Sequence, residues 1–298
     1  MQARFSGVTE RHRLVRVPAS SANLGPGYDV MAVALDLHLE LEVQETGSFS
    51  VTSEVPDVPL DRGNLVVQAF ETLHPADGIS FRVGGEIPLA RGMGSSAAAI
   101  VAGLVAADHL FELGLERAEM LERATALEGH PDNVAAAIYG GFVLCAADPS
   151  LTATAITAPE GLEGVLVIPD EEVSTSRARE AIPAEIPVGD AVANASAAAH
   201  LALGLGRGDF GLIGMGLKDR LHQERRRHLF PRSMEIVESA AELGAVGATI
   251  SGAGPTVLVW TGWQETGLVL AQLRERCEGW ATVRRIGFSP LGADVPEL

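Results

Sequence analysis

A glycine-serine turn at residues 91–99 constrains this chain more than any other feature of its sequence. The segment reads RGMGSSAAA and leads directly into small and apolar residues that predict a helix to about Leu113. Glycines let the backbone approach an anion closely, and the free N–H groups of a helix's first turn favour negative charge. The turn therefore predicts a phosphate site, and the hydroxyls of Ser95 and Ser96 suit a helix cap or a metal ion. A purely structural start of a helix is the alternative.

Two better-known phosphate-binding loops fit this turn less well. Its spacing G-x-G-x-x-A matches the loose dinucleotide fingerprint, which requires an acidic residue at a strand end about twenty residues later. That residue is missing, because the region around Glu116 and Glu119 predicts a helix. A Walker A loop needs Gly-Lys-Ser or Gly-Lys-Thr, and the one lysine of the chain is Lys218.

The charge balance and the cysteines exclude several classes of protein. The 298 residues include 22 Lys and Arg against 39 Asp and Glu, a formal net charge of −17, which disfavours nucleic acid and anionic membranes as partners. Cys145 and Cys277 lie far apart in apolar surroundings and predict reduced core thiols in a cytoplasmic protein. The sequence shows no basic-then-apolar leader and no apolar run of about 18 residues, so neither secretion nor membrane insertion is expected.

Two further glycine-rich segments lie between apolar strands. The first loop, residues 18–29, holds Asn23 and Asp29 among prolines, glycines and small side chains. It is typical either of a rigid functional loop or of an ordinary connection in which these two residues form turns. The glycine-serine turn is the second such segment in chain order, and the third loop comprises residues 251–256. It contains Gly-Ala-Gly, which indicates close approach of the backbone to another loop or to a ligand.

Chemically active side chains cluster after a predicted helix that ends near Glu128. The cluster continues with His130, Asp132 and Asn133. Two carboxylates beside a phosphate site are what a magnesium ion and an acceptor hydroxyl require. The alternatives are that Asp132 caps the next helix and that His130 is a hydrogen-bonded structural residue.

Arginines in the second half of the chain are candidates for binding a carboxylate. Guanidinium groups bind carboxylates in a bidentate fork, and Arg179 and the run at residues 225–227 stand out in such an acidic chain. An arginine run is otherwise typical of a solvated surface.

Local patterns predict alternating strands and helices throughout. Strands are expected at 13–17, 33–43, 49–53, 79–83, 142–146, 165–169 and 257–260, and helices at 64–74, 95–113, 116–128, 134–139, 190–205, 209–221 and 233–243. Residues 174–179 are expected to form a loop. A Thr- and Ala-rich stretch after residue 149 indicates a domain boundary, which we place between residues 155 and 156.

Three of these segments together resemble one superfamily, the GHMP small-molecule kinases, named after galactokinase, homoserine kinase, mevalonate kinase and phosphomevalonate kinase. The first loop is similar to its first motif, residues 88–99 to its phosphate-binding second motif, and the third loop to its glycine-rich third motif. The three motifs occur in the expected order across nearly the whole chain.

Within the superfamily, the sequence resembles the homoserine kinase branch. SSANLGPGYD at residues 20–29 is similar to that branch's first motif, and GHPDNVA at residues 129–135 to its substrate signature. Residues 174–179 and 219–226 resemble the segments that bring two arginines to the amino acid. The first-motif lysine of mevalonate kinases and the RxNLIGEH signature of galactokinases are both missing.

The resemblance implies the reaction of ATP with L-homoserine to give ADP and O-phospho-L-homoserine, a committed step toward threonine. It implies nucleotide contacts from Pro88, Arg91, Gly92, Met93, Gly94, Ser95, Ser96, Gly252 and Gly254, with Asn64 near the adenine. It implies homoserine contacts from Asn23, Asp29, Asp132, Asn133, Arg179 and Arg226. Asp132 and Asn23 would be catalytic, and Ser96 and Glu128 would ligate Mg²⁺.

Alternatives remain for two of these residues and for the group that accepts the hydroxyl proton. Glu122 on the same helix is the alternative to Glu128, and Arg225 or Arg227 to Arg226. Asp132 would orient the hydroxyl, and either its carboxylate or the γ-phosphate would take the proton, since phosphoryl transfer depends chiefly on positioning and charge neutralisation.

The implied fold is α/β, an α+β two-layer GHMP kinase fold. A nucleotide-binding domain with a ribosomal-protein-S5-like arrangement would occupy residues 1–155, and an α+β domain residues 156–298. The family also implies a homodimer. The alternatives in function are a GHMP kinase for another small hydroxyl acceptor, a non-catalytic ligand-sensing relative, and a nicotinamide-dependent dehydrogenase built on the glycine-serine turn.

Overall fold

Two β-sheets form the framework of the computed structural model, which describes residues 11–297. The strands of the first sheet are β1 (His12–Ala22), β2 (Met31–Glu45), β3 (Ser50–Ser53), β4 (Ile79–Gly85), β5 (Phe142–Ala146) and β6 (Thr152–Ile156). Those of the second are β7 (Leu162–Pro169), β8 (Gly247–Ile250), β9 (Val257–Gly262) and β10 (Ala281–Ile286). The strand order is β3-β4-β2-β5-β6 in the first sheet, with β1 also paired to β2, and β10-β7-β9-β8 in the second.

Nine α-helices lie within residues 11–297. They are α1 (Leu65–Glu71), α2 (Ser95–Phe111), α3 (Arg117–Glu128), α4 (Asp132–Tyr139), α5 (Thr175–Glu180), α6 (Val188–Arg207), α7 (Phe210–Gly216), α8 (Pro231–Ser239) and α9 (Thr266–Arg276). Two short 3₁₀ helices span Glu224–Leu229 and Ala240–Leu243. No helix in this part of the chain is long and apolar enough to cross a bilayer.

The helix after the glycine-serine turn is the centre of the first half. α2 packs on β1 and β2 and is flanked by α1, α3 and α4, so it is buried on nearly every side. This explains its composition, because a helix surrounded by other elements needs apolar or small residues all round rather than one apolar stripe. The sheet beneath it is antiparallel except for the pair β3 and β4, which differs from the parallel sheet of a dinucleotide-binding fold.

The second sheet separates two hydrophobic cores because side chains alternate between its faces. Leu166 of β7 and Leu258 and Trp260 of β9 point into the core of the first sheet. Val167 and Val259 point the other way, into a core shared with α8 and α9. The rings of Trp260 and Phe142 on β5, 5.6 Å apart, join the two halves through apolar contact.

The last described segment, residues 287–297, returns to the first sheet. Phe288 pairs with Leu35 of β2, and Asp294 pairs with Arg16 of β1. The boundary at residues 155 and 156 therefore lies between β6 of the first sheet and β7 of the second, but residues after β10 pack against the first half. The division into two domains stays a prediction.

Several predicted element bounds differ from the structure. β1 continues past Pro18 because a bulge between Pro18 and Ala19 absorbs the proline. Residues 174–179 are not a loop, since Ser174 caps α5 by accepting a hydrogen bond from the Arg177 N–H. α7 ends at Gly216, well before the predicted residue 221, and the helix expected at 233–243 is α8 followed by a 3₁₀ turn.

Candidate active site

Three loops predicted to bind ligands meet beside the start of α2. The Ser251 hydroxyl donates to the Gly92 carbonyl at 2.7 Å, and the Gly252 N–H donates to the Ala22 carbonyl at 3.1 Å. The Asn23 amide donates to the Gly252 carbonyl at 2.9 Å. These bonds connect the first loop, the glycine-serine turn and the third loop into one rigid rim.

The glycine-serine turn ends at Gly94, the N-cap residue of α2. Gly94 has a left-handed backbone with φ of 69°, and a Cβ there would clash with the Ser20 hydroxyl. No side chain caps α2, so of the two roles suggested for Ser95 and Ser96, helix cap or metal ligand, the helix cap is wrong. The N–H groups of the first turn are left for an anion, which is the arrangement that favours phosphate.

A hydroxyl and a carboxylate lie together next to this helix start. Ser96 Oγ donates to Glu128 Oε2 at 2.6 Å. Burial raises the pKa of Glu128, and the hydrogen bond from Ser96 only partly opposes that rise. Glu122, the alternative on α3, is exposed and does not line the cleft. Within residues 11–297 no cluster of three or more His, Cys, Asp or Glu side chains could hold a metal ion.

Asp132 is buried at the start of α4 and is held by its neighbours. Its Oδ1 accepts the Asn133 N–H at 2.8 Å and lies 2.9 Å from His130 Nδ1. The N-cap residue of α4 is Pro131, so Asp132 does not cap this helix. Burial lowers the pKa of His130, but the hydrogen bond to Asp132 and the charges of Asp132 and Glu128 outweigh it, and the pKa is raised overall. His130 is thus hydrogen-bonded, as its structural interpretation expected, while it also lines the cleft.

Arg179 and Asp29 form a two-bonded ion pair across the cleft. Arg179 Nη2 lies 2.8 Å from Asp29 Oδ1, and Nη1 lies 3.0 Å from Oδ2. Arg179 Nη1 also donates to the Tyr28 hydroxyl at 3.1 Å. The structure therefore brings together a cation and an anion that the sequence placed 150 residues apart.

Of the three arginines at 225–227, the structure buries only the middle one against the cleft. Arg226 is 2% exposed, and its Nε donates to the Ala178 carbonyl at 2.7 Å. Arg227 instead pairs with Glu224 and Glu238 at the surface. Desolvation by burial lowers the pKa of Arg226 below its ordinary value. An arginine guanidinium nevertheless stays charged in proteins.

These groups line one cleft of about 640 Å³. The predicted residues in its wall are Asn23, Asp29, Gly92, Met93, Gly94, Ser95, Ser96, Glu128, Asp132, Asn133, Arg179, Arg226 and Gly252. We call this the acceptor cleft.

Three predicted nucleotide contacts line neither the acceptor cleft nor the second, apolar cleft that adjoins it. Pro88 and Gly254 lie outside both walls, and the Arg91 guanidinium instead donates to the Asp170 carbonyl at 2.7 Å and pairs with Glu172 at 3.0 Å. The glycine-serine turn contributes through its backbone and its serines rather than through its arginine.

A second, mostly apolar cleft of about 960 Å³ adjoins the first. Its walls include Leu39, Val55, Val58, Pro59, Leu65, Ile87 and Leu89, and it contains the predicted Asn64. The Asn64 side chain caps α1 by accepting the Val66 N–H at 3.0 Å. Both clefts share Ala90, Ser95 and Ser96, so the start of α2 lies at their junction. We call this the apolar cleft.

Sequence reasoning missed several wall residues. Tyr28, Val173, Thr175 and Ala253 line the acceptor cleft, and nearly all of the apolar cleft was not predicted. Tyr28 lies beside Asp29 in the first loop, so its position was a usable signal. The apolar walls carry no signal, because their residues are indistinguishable from core residues in the sequence.

Comparisons with known proteins agree with this geometry. The family models described as GHMP kinases N terminal domain and GHMP kinases C terminal match residues 64–141 and 201–279. A homoserine kinase from Thermus thermophilus is 43% identical over 81% of this chain and 84% of its own length, and one from Leuconostoc citreum is 38% identical over 91% and 94%.

A solved structure gives the same result at the level of the fold. The crystal structure of homoserine kinase from Cytophaga hutchinsonii superimposes with a TM-score of 0.84 and 28% identity, covering 99% of both chains. The expected GHMP kinase fold is confirmed. This chain belongs to the GHMP kinases and, within them, to the homoserine kinase family.

Proposed function

We propose that this protein transfers the γ-phosphate of ATP to the hydroxyl of L-homoserine, giving O-phospho-L-homoserine and ADP. The observation that carries the proposal is the junction of the two clefts at Ser95 and Ser96. An apolar cleft on one side suits a nucleobase, and a cleft with paired charges on the other suits an amino acid. The phosphates would then lie at the uncapped start of α2 between them.

The acceptor cleft has the charges that a zwitterion needs. Asp29 would take the substrate ammonium, and Arg179 and Arg226 its carboxylate. Arg179 and Asp29 pair with one another at 2.8 Å, so a bound homoserine would exchange this one ion pair for two. A neutral sugar or a phosphorylated acceptor would leave one of these charges without a partner, which is costly in a half-buried site.

Asp132 is the residue best placed to act on the hydroxyl. Its Oδ1 is already occupied by His130 and Asn133, and Oδ2 has no hydrogen-bond partner among residues 11–297. Oδ2 would orient the hydroxyl, whose oxygen forms the new bond to phosphorus as the bond to the ADP oxygen breaks. The hydroxyl proton would pass to Asp132 or to the transferred phosphoryl group.

Asn23 would support catalysis through the architecture of the rim. Its Nδ2 donates to the Gly252 carbonyl, and its Oδ1 accepts the Asp29 N–H at 3.1 Å. The Nδ2 end therefore holds the first loop against the third, and the Oδ1 end holds the first loop to itself. Asn133 differs, since its Oδ1 accepts the Ser20 hydroxyl while its Nδ2 is available to a ligand.

We further propose that Mg²⁺ is bound by Glu128 and Ser96. Both offer oxygen atoms, the ligands that Mg²⁺ prefers, and they already lie 2.6 Å apart at the predicted phosphate position. Mg²⁺ typically uses one or two protein oxygens together with substrate phosphates, which fits the small number of acidic groups here. The ion would supply charge neutralisation to the phosphates.

The test is ADP release from ATP and Mg²⁺ with L-homoserine, L-serine, mevalonate, phosphomevalonate and galactose offered separately. Turnover with homoserine well above that with every other acceptor is expected. Turnover only with another acceptor would contradict the substrate and leave the kinase assignment intact. Binding of ATP without turnover on any acceptor would favour the ligand-sensing relative, against which the intact Ser96, Glu128 and Asp132 argue.

A homodimer and a cytoplasmic location also remain our proposals. The first comes from the family resemblance, and the second from two cysteines in apolar surroundings, which are free and buried. Sedimentation or light scattering of the purified protein would test the first. The calculated mass of one chain is 31.2 kDa, so a species near twice that mass is expected.

A further inference from the structure

His222 lies directly behind the acceptor cleft and takes no part in its wall. The residue is fully buried. Its Nε2 lies 2.8 Å from the Gly25 carbonyl oxygen in the first loop, and its Nδ1 lies 3.2 Å from Arg226 Nη1. One imidazole therefore joins the first loop to an arginine of the acceptor cleft.

The two partners determine the state of this imidazole. A carbonyl oxygen can only accept, so Nε2 must carry the hydrogen. A guanidinium can only donate, so Nδ1 must be the bare nitrogen. His222 is thus neutral and in a single tautomer. Its complete burial acts in the same direction by lowering the pKa of the imidazole.

The bond from Arg226 to His222 decides which part of the guanidinium is left for a ligand. Nε donates to the Ala178 carbonyl at 2.7 Å, and Nη1 divides its two hydrogens between His222 and the Gly252 carbonyl at 3.2 Å. These bonds leave Nη2 for a bound carboxylate. The Tyr28 ring, centred 5.4 Å from Arg226 Cζ, packs against the guanidinium.

Hydrogen bonds also fix the backbone around His222. Asp219, whose side chain is fully buried, accepts the N–H groups of His222 and Gln223 at 2.9 Å and 2.7 Å. The Gln223 side chain in turn accepts the N–H of Ile250 on β8 at 2.6 Å. The imidazole therefore has a rigid base from which to hold Arg226.

We propose that His222 is a positioning residue for substrate recognition, holding Arg226 in register with the first loop so that one guanidinium nitrogen faces the substrate carboxylate. This inference rests on the proposed function, because it assumes that the substrate carries a carboxylate. His222 acts only through Arg226 and touches no reacting atom.

Two substitutions separate the two hydrogen bonds of the imidazole. In His222→Asn the amide oxygen can occupy the Nδ1 position and accept from Arg226, while the donor to Gly25 is lost. In His222→Gln the amide nitrogen can occupy the Nε2 position and donate to Gly25, while the acceptor for Arg226 is lost. Steady-state kinetics of both variants then measure the bond to Arg226.

We expect His222→Gln to raise the KM for homoserine about tenfold or more, the usual effect of losing one hydrogen bond to a charged group. His222→Asn should change that KM by less than about threefold, and the KM for ATP should not change in either variant. His228→Gln, at an exposed histidine nearby in the chain, is the matched control and should behave as wild type. In an Arg226→Met background, His222→Gln should raise the KM no further.

Nitrogen chemical shifts of the histidines give a second readout on the unmodified protein, which holds even if a variant does not fold. A protonated Nε2 and a bare Nδ1 at neutral pH are expected for His222. The opposite tautomer or a cation would overturn the inference, and so would equal homoserine KM values in the two variants of an active enzyme. A wild-type protein without homoserine turnover would instead overturn the proposed function.

Discussion

Side chains of the acceptor cleft are held by bonds that use some of their polar atoms and leave one specific atom of each for a ligand. The hydrogen bonds of Asp132 use Oδ1 and those of Arg226 use Nε and Nη1, which leaves Oδ2 and Nη2 without a bond to another described residue. A group whose other atoms are bonded cannot turn away from its ligand. The site therefore gains precision from bonds that do not involve the substrate.

At this scale, replacing the Asp132 carboxylate tests whether it takes part in proton transfer. Asp132→Asn keeps the shape of the side chain and removes the charge. We expect kcat to fall by about 10²-fold or more, the usual contribution of a positioned general base, with little change in the KM for ATP. A variant with nearly normal kcat would eliminate the base role and leave the γ-phosphate as the proton acceptor. Asp36→Asn, at an exposed position, is the control.

The two glutamates considered for the metal offer a matched pair on one helix. Glu128→Gln removes a carboxylate bonded to Ser96, whereas Glu122→Gln changes an exposed residue. We expect kcat/KM to fall by about 10²-fold in the first variant and to stay unchanged in the second. The Mg²⁺ concentration needed for half-maximal rate should rise only in the Glu128 variant. A fall in kcat/KM in the Glu122 variant alone would show that Glu122, and not Glu128, ligates Mg²⁺.

At the scale of the element, the start of α2 depends on a residue without a side chain. Gly94→Ala would place a methyl group against the Ser20 hydroxyl at a backbone φ of 69°. Gly114→Ala is a matched control, because its φ of 75° is similar and nothing lies within 4 Å of its Cβ. Gly114→Ala should lose about 1 kcal/mol of unfolding free energy, and Gly94→Ala should lose more because its methyl group also meets the Ser20 hydroxyl. Only Gly94→Ala should also raise the KM for ATP. Steady-state kinetics measures this KM, and urea unfolding measures the stability of both variants.

Elements defined by local chemistry were predictable from the sequence, and elements defined by distant partners were not. The glycine-serine turn and α2 follow from propensity and small residues, and the three loops follow from their motifs. The bulge that carries β1 past Pro18 depends on pairing with β2. The hydrogen bond that the Asn23 amide donates depends on a carbonyl 229 residues away, so no local pattern could reveal it.

At the scale of the whole molecule, buried histidine makes stability depend on pH. Burial lowers the pKa of His222 from its ordinary value of 6.5, so below that pH the unfolded chain binds a proton that the folded chain does not. The part of the unfolding free energy that depends on neutral His222 should therefore be fully present above pH 6.5 and fall as the pH drops below it. His130 acts in the opposite sense, since its raised pKa stabilises the fold at lower pH.

Urea unfolding of wild type and His222→Asn at several pH values isolates this contribution. The difference in unfolding free energy between the two proteins should shrink as the pH falls below 6.5, because only the wild type loses the neutral imidazole. A constant difference across that range would show that His222 does not titrate on unfolding.

The return of residues 287–297 to the first sheet affects how the chain can fold during its synthesis. Arg16 of β1 pairs with Asp294, and Leu35 of β2 pairs with Phe288. Two early strands are therefore completed by residues that leave the ribosome long after them. The N-terminal half can collapse during synthesis but cannot close its own edge. Until the late segment arrives, nascent chains keep apolar surface and unpaired backbone exposed, which makes this the period when a chaperone has most to protect.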